Sequence, residues 1–316
     1  MGPVASRRLP AHSGATVPDF NRVPVASTRR PRSMRPAALL CTLLLAALPL
    51  GGHAQSGMRI VSLMPSLTED LFALGAGDEI VAVSAFTDRP AAARALPHVA
   101  SSTSIDAEKI VALHPDLVVG IPFQAAMVAP LRRARLHVVL LPDDSFRDIY
   151  ATLQELGTLV HRSAAAAALE HGMREQTAAL ERTVSRRRKP SVFVVLDVAP
   201  IYTVGKRSYI NTLIEMAGGR NAARADLPYI RYSAEALLAD QPDVLVVDPM
   251  VKLKSVENRE PWRSLHAVQS GNVAQIPDTE ALLSPGPRYN DGLRWLISVL
   301  RRVDGVRHSD NTSNHG

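Results

Sequence analysis

The chain has 316 residues, of which 46% are hydrophobic, which is long enough for two ordinary domains. Its formal charge of +6 comes entirely from residues 1–54, where seven arginines face one acid, Asp19; the other 29 basic and 29 acidic residues cancel. The body therefore has no basic field to attract nucleic acid, and the lone cysteine, Cys41, leaves it no disulfide framework.

The leader comes first in chain order. Arg30, Arg32 and Arg35 precede an apolar run over 37–50, and Gly52-His53-Ala54 fits a small-x-small cleavage rule. A cleaved signal peptide ending near Ala54 is predicted, with Met1 and Met34 both open as the true start and an uncleaved anchor as the minor alternative. The run is short against the roughly 20 residues of a membrane span, and no later segment is longer. Cys41 lies inside the run rather than after it, which argues against lipidation.

Next comes a short apolar strand over 59–63. Ser66-x-x-Glu69 reads as a capping box opening a helix that buries Leu67, Leu71, Phe72 and Leu74 and stops at Gly75. Strands are expected over 80–84, 117–120 and 137–141, and helices over 106–114, 124–135 and 146–160. This alternation is the pattern of a parallel sheet covered on both faces. The alanine-rich, proline-free stretch 163–188 reads as one long helix, a strut rather than a flexible linker. Its closing basic run, Arg186 to Lys189, suits a helix C-terminus. A strand over 192–198, a helix over 208–217 stopped by Gly218-Gly219, a strand over 272–276 and a helix over 288–302 follow. The polar tail 304–316 is expected to be disordered.

Two stretches are copies of one design. Residues 106–119 and 233–247 each begin with an N-cap residue, Asp106 or Ser233. Ala-Glu follows, then an apolar helical face, then Pro-Asp and a β-rich run. Glu108 and Glu235 fall at equivalent places 127 residues apart, about one domain length. Matched acids on a doubled body suggest a symmetric partner.

Catalytic signatures are missing. Gly75-Ala-Gly77 ends a helix instead of opening one, there is no Gly-x-Ser-x-Gly elbow, and the histidines are scattered without ligand spacing. The chain is expected not to be an enzyme and to hold no intrinsic cofactor and no resident metal.

The segment Arg59-Ile-Val-Ser-Leu-Met-Pro-Ser-Leu-Thr-Glu69, the run from Leu74 to Val83, and Glu108 to Asp116 resemble periplasmic binding proteins for cobalamin and iron chelates. So do Thr203 to Asn211, Ala217 to Asn221 and Ser284-Pro-Gly-Pro-Arg288. The resemblance covers about 58–302 and rests on the order and spacing of these motifs. It implies an α/β fold of two lobes, each with a mostly parallel sheet flanked by helices, joined by one backbone helix with the ligand cleft between. The lobes would be 58–162 and 190–303, with 163–188 as the joining helix after a leader of 1–54. It further implies delivery of a cobalt or iron chelate to the permease dimer of an ABC transporter, by a protein expected to act as a monomer in the periplasm. Glu108 and Glu235 stand where relatives carry acids that dock onto the permease.

Ligands of such folds sit at the carboxyl ends of the strands. That places Pro65, Ser66, Phe86, Thr87, Ser104, Ile121, Pro122 and Phe123 as candidates in the first lobe. Tyr202, Tyr229, Tyr232, Thr279 and Arg288 are the candidates in the second. Aromatics suit a planar macrocycle or catechol, and arginine suits a carboxylate or phosphate. The cobalamin binders carry tryptophans where this chain has Ser104 and, nearby, Tyr229; Trp262 and Trp295 lie on helix-like segments. Cobalamin or another corrinoid, a ferric siderophore and haem all remain open. An exported sensor or scaffold using the same fold without transport is the competing reading.

Overall fold

In a computed structural model of the chain, residues 57–101, 103–184 and 189–313 are described, with side chains to residue 303. The expected leader, its cleavage point and Arg186 to Arg188 lie outside the described residues.

The first lobe runs β1 (Ile60–Ser62), α1 (Pro65–Ala73), β2 (Ile80–Ser84), β3 (His98–Ala100), α2 (Ala107–Ala112), β4 (Leu117–Gly120), α3 (Ala129–Arg133), β5 (Val138–Leu140) and α4 (Phe146–Leu159). Its strands form one parallel sheet in the order β3-β2-β1-β4-β5. Helix α5 (Ser163–Glu181) then carries the chain across to the second lobe. That lobe runs β6 (Ser191–Val195), β7 (Asp197–Val198), β8 (Ile201–Val204), α6 (Tyr209–Met216), β9 (Arg220–Asn221), β10 (Tyr229–Arg231), α7 (Ala234–Asp240), β11 (Val244–Val247), α8 (Leu253–Glu257), α9 (His266–Gln269), β12 (Val273–Gln275), α10 (Thr279–Leu282) and α11 (Tyr289–Ser313). Its parallel sheet has the order β12-β11-β6-β9, and β10, β8 and β7 make a separate antiparallel sheet.

The central strands β1, β4, β6 and β11 bury both faces, as parallel strands between helices must. Val192 and Val194 of β6 enter one core while Phe193 and Val195 enter another, and β11 divides the same way. The larger core is shared between the lobes: Ile60, Leu117 and Val119 join Val192, Val194, Val244 and Val246 through α1, α4, α5, α6 and α11. Trp262 is buried in the second lobe's own core against Phe193.

The duplicated units fold alike to single hydrogen bonds. Asp106 caps α2 by accepting from the Lys109 amide at 3.0 Å, and Ser233 caps α7 by accepting from the Ala236 amide at 3.1 Å. Each helix unwinds through a left-handed residue before the buried proline, His114 at φ 44° and Gln241 at φ 40°. Each Pro-Asp aspartate then accepts from the backbone at the start of the neighbouring central strand. Asp116 takes the Arg59 amide at 2.8 Å and Asp243 the Ser191 amide at 2.8 Å. The repeated Pro-Asp is therefore a latch between paired central strands.

Several expectations need correction. Ser66 is not an N-cap: α1 starts at Pro65, whose fixed φ suits a first helical position, and Met64 caps without a side chain. The helix expected over 124–135 is only α3, after a single turn over Pro122–Gln124. The run 192–198 is two strands, because the chain turns at Leu196 to begin the antiparallel sheet. The described part of the strut is helical only to Glu181. The backbone of α11 continues helical to Ser313, through the segment expected to be a disordered tail.

Candidate functional site

All five strands of the first sheet point the same way, so the loops leaving their carboxyl ends gather along one edge. Phe86, just past β2, is 73% exposed and adopts a left-handed backbone at φ 64°. A non-glycine residue there is held at some cost, and the holder is Thr87. Its buried hydroxyl donates to the Ser84 carbonyl at 2.8 Å and meets the Ser84 hydroxyl at 3.0 Å. Thr87 thus positions Phe86 and is itself inaccessible.

Phe123, past β4, is also 73% exposed, and Pro122 beside it is exposed while Ile121 is buried. Gln124 fixes this loop from beneath. It is buried, it accepts from the Ile121 amide at 3.1 Å, and its amide donates to the Leu63 carbonyl at 3.1 Å, tying the ends of β1 and β4 together. Sequence reasoning missed Gln124; the glycine before the loop was the available signal, since a Cβ on Gly120 would fall 2.6 Å from Gln124 Oε1. Ser104 is exposed past β3 and pairs its hydroxyl with Ser101 at 2.8 Å.

In the second lobe Tyr202, Tyr229 and Tyr232 come together around one depression of about 560 Å³, completed by Leu227, Arg231 and Ala236. Tyr202 and Tyr229 face each other's strands in the antiparallel sheet, where Arg231 pairs with Tyr202 and Tyr229 with Val204. Loop 223–228 is strapped to the chain after β8: Gly205 donates to Pro228 at 2.9 Å and Lys206 to Ala225 at 2.9 Å. Asn221 donates from its side chain to Val204 at 2.9 Å. Gly205 is required, because a Cβ would lie 2.1 Å from the Leu227 carbonyl oxygen. Tyr232 bonds Asp240, and burial with that bond raises its phenol to about 12.

The Tyr229 phenol is raised by burial and by Asp143, opposed by a hydrogen bond with Ser208. Asp143 belongs to the first lobe, in the loop leaving β5. Burial, then Asp144 and Asp148, push its carboxyl up to about 6. Met250, past β11, is 83% exposed.

Arg288 and Thr279 lie at the seam. The Arg288 guanidinium pairs with Glu69 of α1 at 3.0 Å and with Asp278, and Asp278 accepts Arg89 of the first lobe at 3.3 Å. Arg89, Asp278, Arg288 and Glu69 therefore alternate in charge, and the first and last of these three pairings cross between the lobes. This engages Arg288 internally, where sequence reasoning offered it to a ligand anion. Ser66 is buried against Gly286, and Pro65 and Thr279 are part-exposed nearby. Burial raises Glu69 against the pull of Arg288, and raises the fully buried Asp70 far above the carboxylate range. Deeper in, Tyr150 of α4 and Tyr289 of α11 join hydroxyls at 2.6 Å, and Tyr289 meets Thr177 of α5 at 2.6 Å. This couples both lobes to the strut.

Glu108 and Glu235 are exposed in the first turns of α2 and α7. No cluster of three or more metal-ligating side chains occurs among the described residues, and no helix among them is long and apolar enough to cross a membrane.

With this geometry in view, the family model described as periplasmic binding protein matches residues 60–280. An ABC transporter substrate-binding lipoprotein of Bacillus subtilis, YvrC, is 30% identical over 77% of this chain and 79% of its own length. The periplasmic vitamin B12 binding protein BtuF of Vibrio cholerae is similar in structure, with a TM-score of 0.67 at 27% identity, covering 79% of this chain and 98% of that one. The periplasmic heme-binding protein RhuT from Roseiflexus reaches 0.68 at 25% identity, covering 78% and 99%.

Proposed function

The chain belongs to the periplasmic binding protein family, and from that premise we propose that it captures a metal chelate between its lobes and hands it to the permease of an ABC importer. Its relatives are exported substrate-binding proteins of transporters, so it is a binding protein rather than an enzyme. The chelate is a corrinoid, a ferric siderophore or haem, and it is cargo, not a cofactor.

One observation carries this reading. Large apolar side chains stand in water on both lobes: Phe86 and Phe123 on strand-end loops of the first, Leu227 and Met250 on loops and Tyr229 on the antiparallel sheet of the second. Exposed aromatics on rigid loops are costly unless a partner covers them. A broad, flat, largely apolar complex fits such walls. The candidate contacts are Phe86, Pro122, Phe123, Tyr202, Tyr229 and Tyr232, with Ser104 and Thr279 at the margins and Thr87 and Ile121 behind them. Arg288 acts as a clamp between lobes. The shared core and the tyrosine seam argue for capture with little hinge motion.

Docking would use Glu108 and Glu235, one on each lobe, against cations on the two halves of the permease. Exposed charges of this kind steer and orient more than they hold. The protein would act as a monomer after cleavage near Ala54.

A thermal-shift screen of residues 55–316 against cyanocobalamin, cobinamide, haem and ferric hydroxamates tests the capture. At least one should raise the melting midpoint; no shift with any of them overturns the reading. Charge reversal at Glu108 and Glu235 together should abolish uptake and leave chelate affinity unchanged. If uptake survives, docking does not run through these acids.

A further inference from the structure

Among the described residues, eight large hydrophobic side chains are exposed. Six of them lie on strand-end loops or in the antiparallel sheet: Phe86, Phe123, Tyr202, Leu227, Tyr229 and Met250. The remaining two, Val111 at 38% and Leu238 at 37%, differ from them in setting. Both sit on short helices, α2 and α7, otherwise surfaced by polar residues and alanine.

Their positions are not independent. Val111 and Leu238 are 127 residues apart, the same offset that relates Glu108 to Glu235 and His114 to Gln241. Each apolar residue stands three positions after the matched glutamate, so acid and apolar side chain share one helical face. The equivalence is structural as well. Both helices are capped by the same kind of bond, unwind through a left-handed residue at the equivalent position, and feed central strands latched by an equivalent aspartate. Each lobe therefore presents the same two-element patch, a carboxylate and an apolar knob about one helical turn further along.

Resting on the docking role proposed for the glutamates, we infer that Val111 and Leu238 are the adhesive half of that interface, seated in paired apolar sockets beside cations on a two-fold membrane permease. Charge complementarity and the doubling of the patch select this occupant. A surface carboxylate speeds and orients encounter but contributes little to holding, because it stays solvated and screened. An exposed valine or leucine adds nothing at a distance and resists dissociation once covered. The pairing divides the work, with the acids acting on association and the apolar residues on release.

The test uses the exported chain loaded with cyanocobalamin as probe and a cobalamin-type permease–ATPase complex in nanodiscs, with association and dissociation followed at low and high salt. Glu108→Gln with Glu235→Gln should slow association and flatten its salt dependence. Val111→Ser with Leu238→Ser should speed dissociation about ten-fold, leave the salt dependence intact, and leave probe affinity and melting midpoint unchanged. Val111→Thr with Leu238→Asn, closer in shape, should do the same. If the glutamine variants act and both apolar pairs leave dissociation within about two-fold, the adhesive role is wrong while the docking acids stand. If neither set acts, the docking face itself is wrong. A dimer in sedimentation that disappears in the serine pair would assign the knobs to a second copy of this chain and overturn the inference.

Discussion

The two lobes agree where their units repeat and differ where they meet water beside the seam. The α2–β4 and α7–β11 units share caps, left-handed exits, buried prolines and strand latches. At the carboxyl ends of the strands the likeness stops. The first lobe offers two phenylalanines on tight loops, one of them held left-handed by Thr87. Among the described residues the second adds an antiparallel sheet that the first lacks and carries its tyrosines there. The repeated parts are scaffold and matched surface; the unmatched parts hold the side chains that can tell one ligand from another.

The glycines break the comparison hardest. Gly205→Ala drives a Cβ to 2.1 Å from a backbone carbonyl, which cannot yield without unstrapping loop 223–228. It should cost on the order of 3 kcal/mol or more, read by urea unfolding. Gly120→Ala meets side-chain ends rather than backbone, Gln124 Oε1 at 2.6 Å and methyls of Leu63 and Leu140 at 3.3 Å, and should cost about 1 kcal/mol. Equal losses would mean that the second-lobe strap is not rigid.

The latches come next. Asp243 is half-buried and also meets the Ser191 hydroxyl at 3.0 Å, whereas Asp116 is exposed. Asp243→Ala should cost roughly 2–3 kcal/mol and Asp116→Ala about 1 kcal/mol in the same measurement. A reversed order would show that burial does not set the latch's worth.

Ligand contacts sharpen the difference between lobes. With whichever chelate binds, Phe86→Ala and Tyr229→Ala should each weaken affinity about ten-fold by titration calorimetry, an effect typical of a buried aromatic anchor. Loss from one lobe only would place the ligand on that lobe alone.

A further difference is a pH dependence. Asp143 holds its proton up to about 6 in the folded chain, above the ordinary 3.8, because burial and the neighbouring Asp144 and Asp148 oppose its charge. Its ionisation therefore opposes folding above pH 6, and this penalty fades as pH falls toward 4. Asp143→Asn should raise the melting midpoint at pH 8, with the gain closing as pH drops through about 6. A constant gain would point to a cause other than titration.

Much of this fold was legible because the signals were local. The repeat, the alternation of strand and helix, and the alanine-rich strut need only neighbouring residues, and the tyrosine candidates fell together around one depression. The antiparallel sheet was missed because its strands have two to four residues and Val192–Val198 reads as one run. The seam was illegible for another reason: Glu69 and Arg288 are 219 residues apart, and no periodicity links them. The same separation hid Gln124, which acts on Leu63, 61 residues earlier.

Capture between the lobes is tested most directly by hydroxyl-radical footprinting with and without the chelate that binds. Phe86, Phe123, Tyr229 and Met250 are exposed, oxidisable and divided between the lobes. Simultaneous protection of side chains on both lobes, at one ligand per chain, is the predicted result. Protection confined to one lobe, or found away from all four residues, would contradict it.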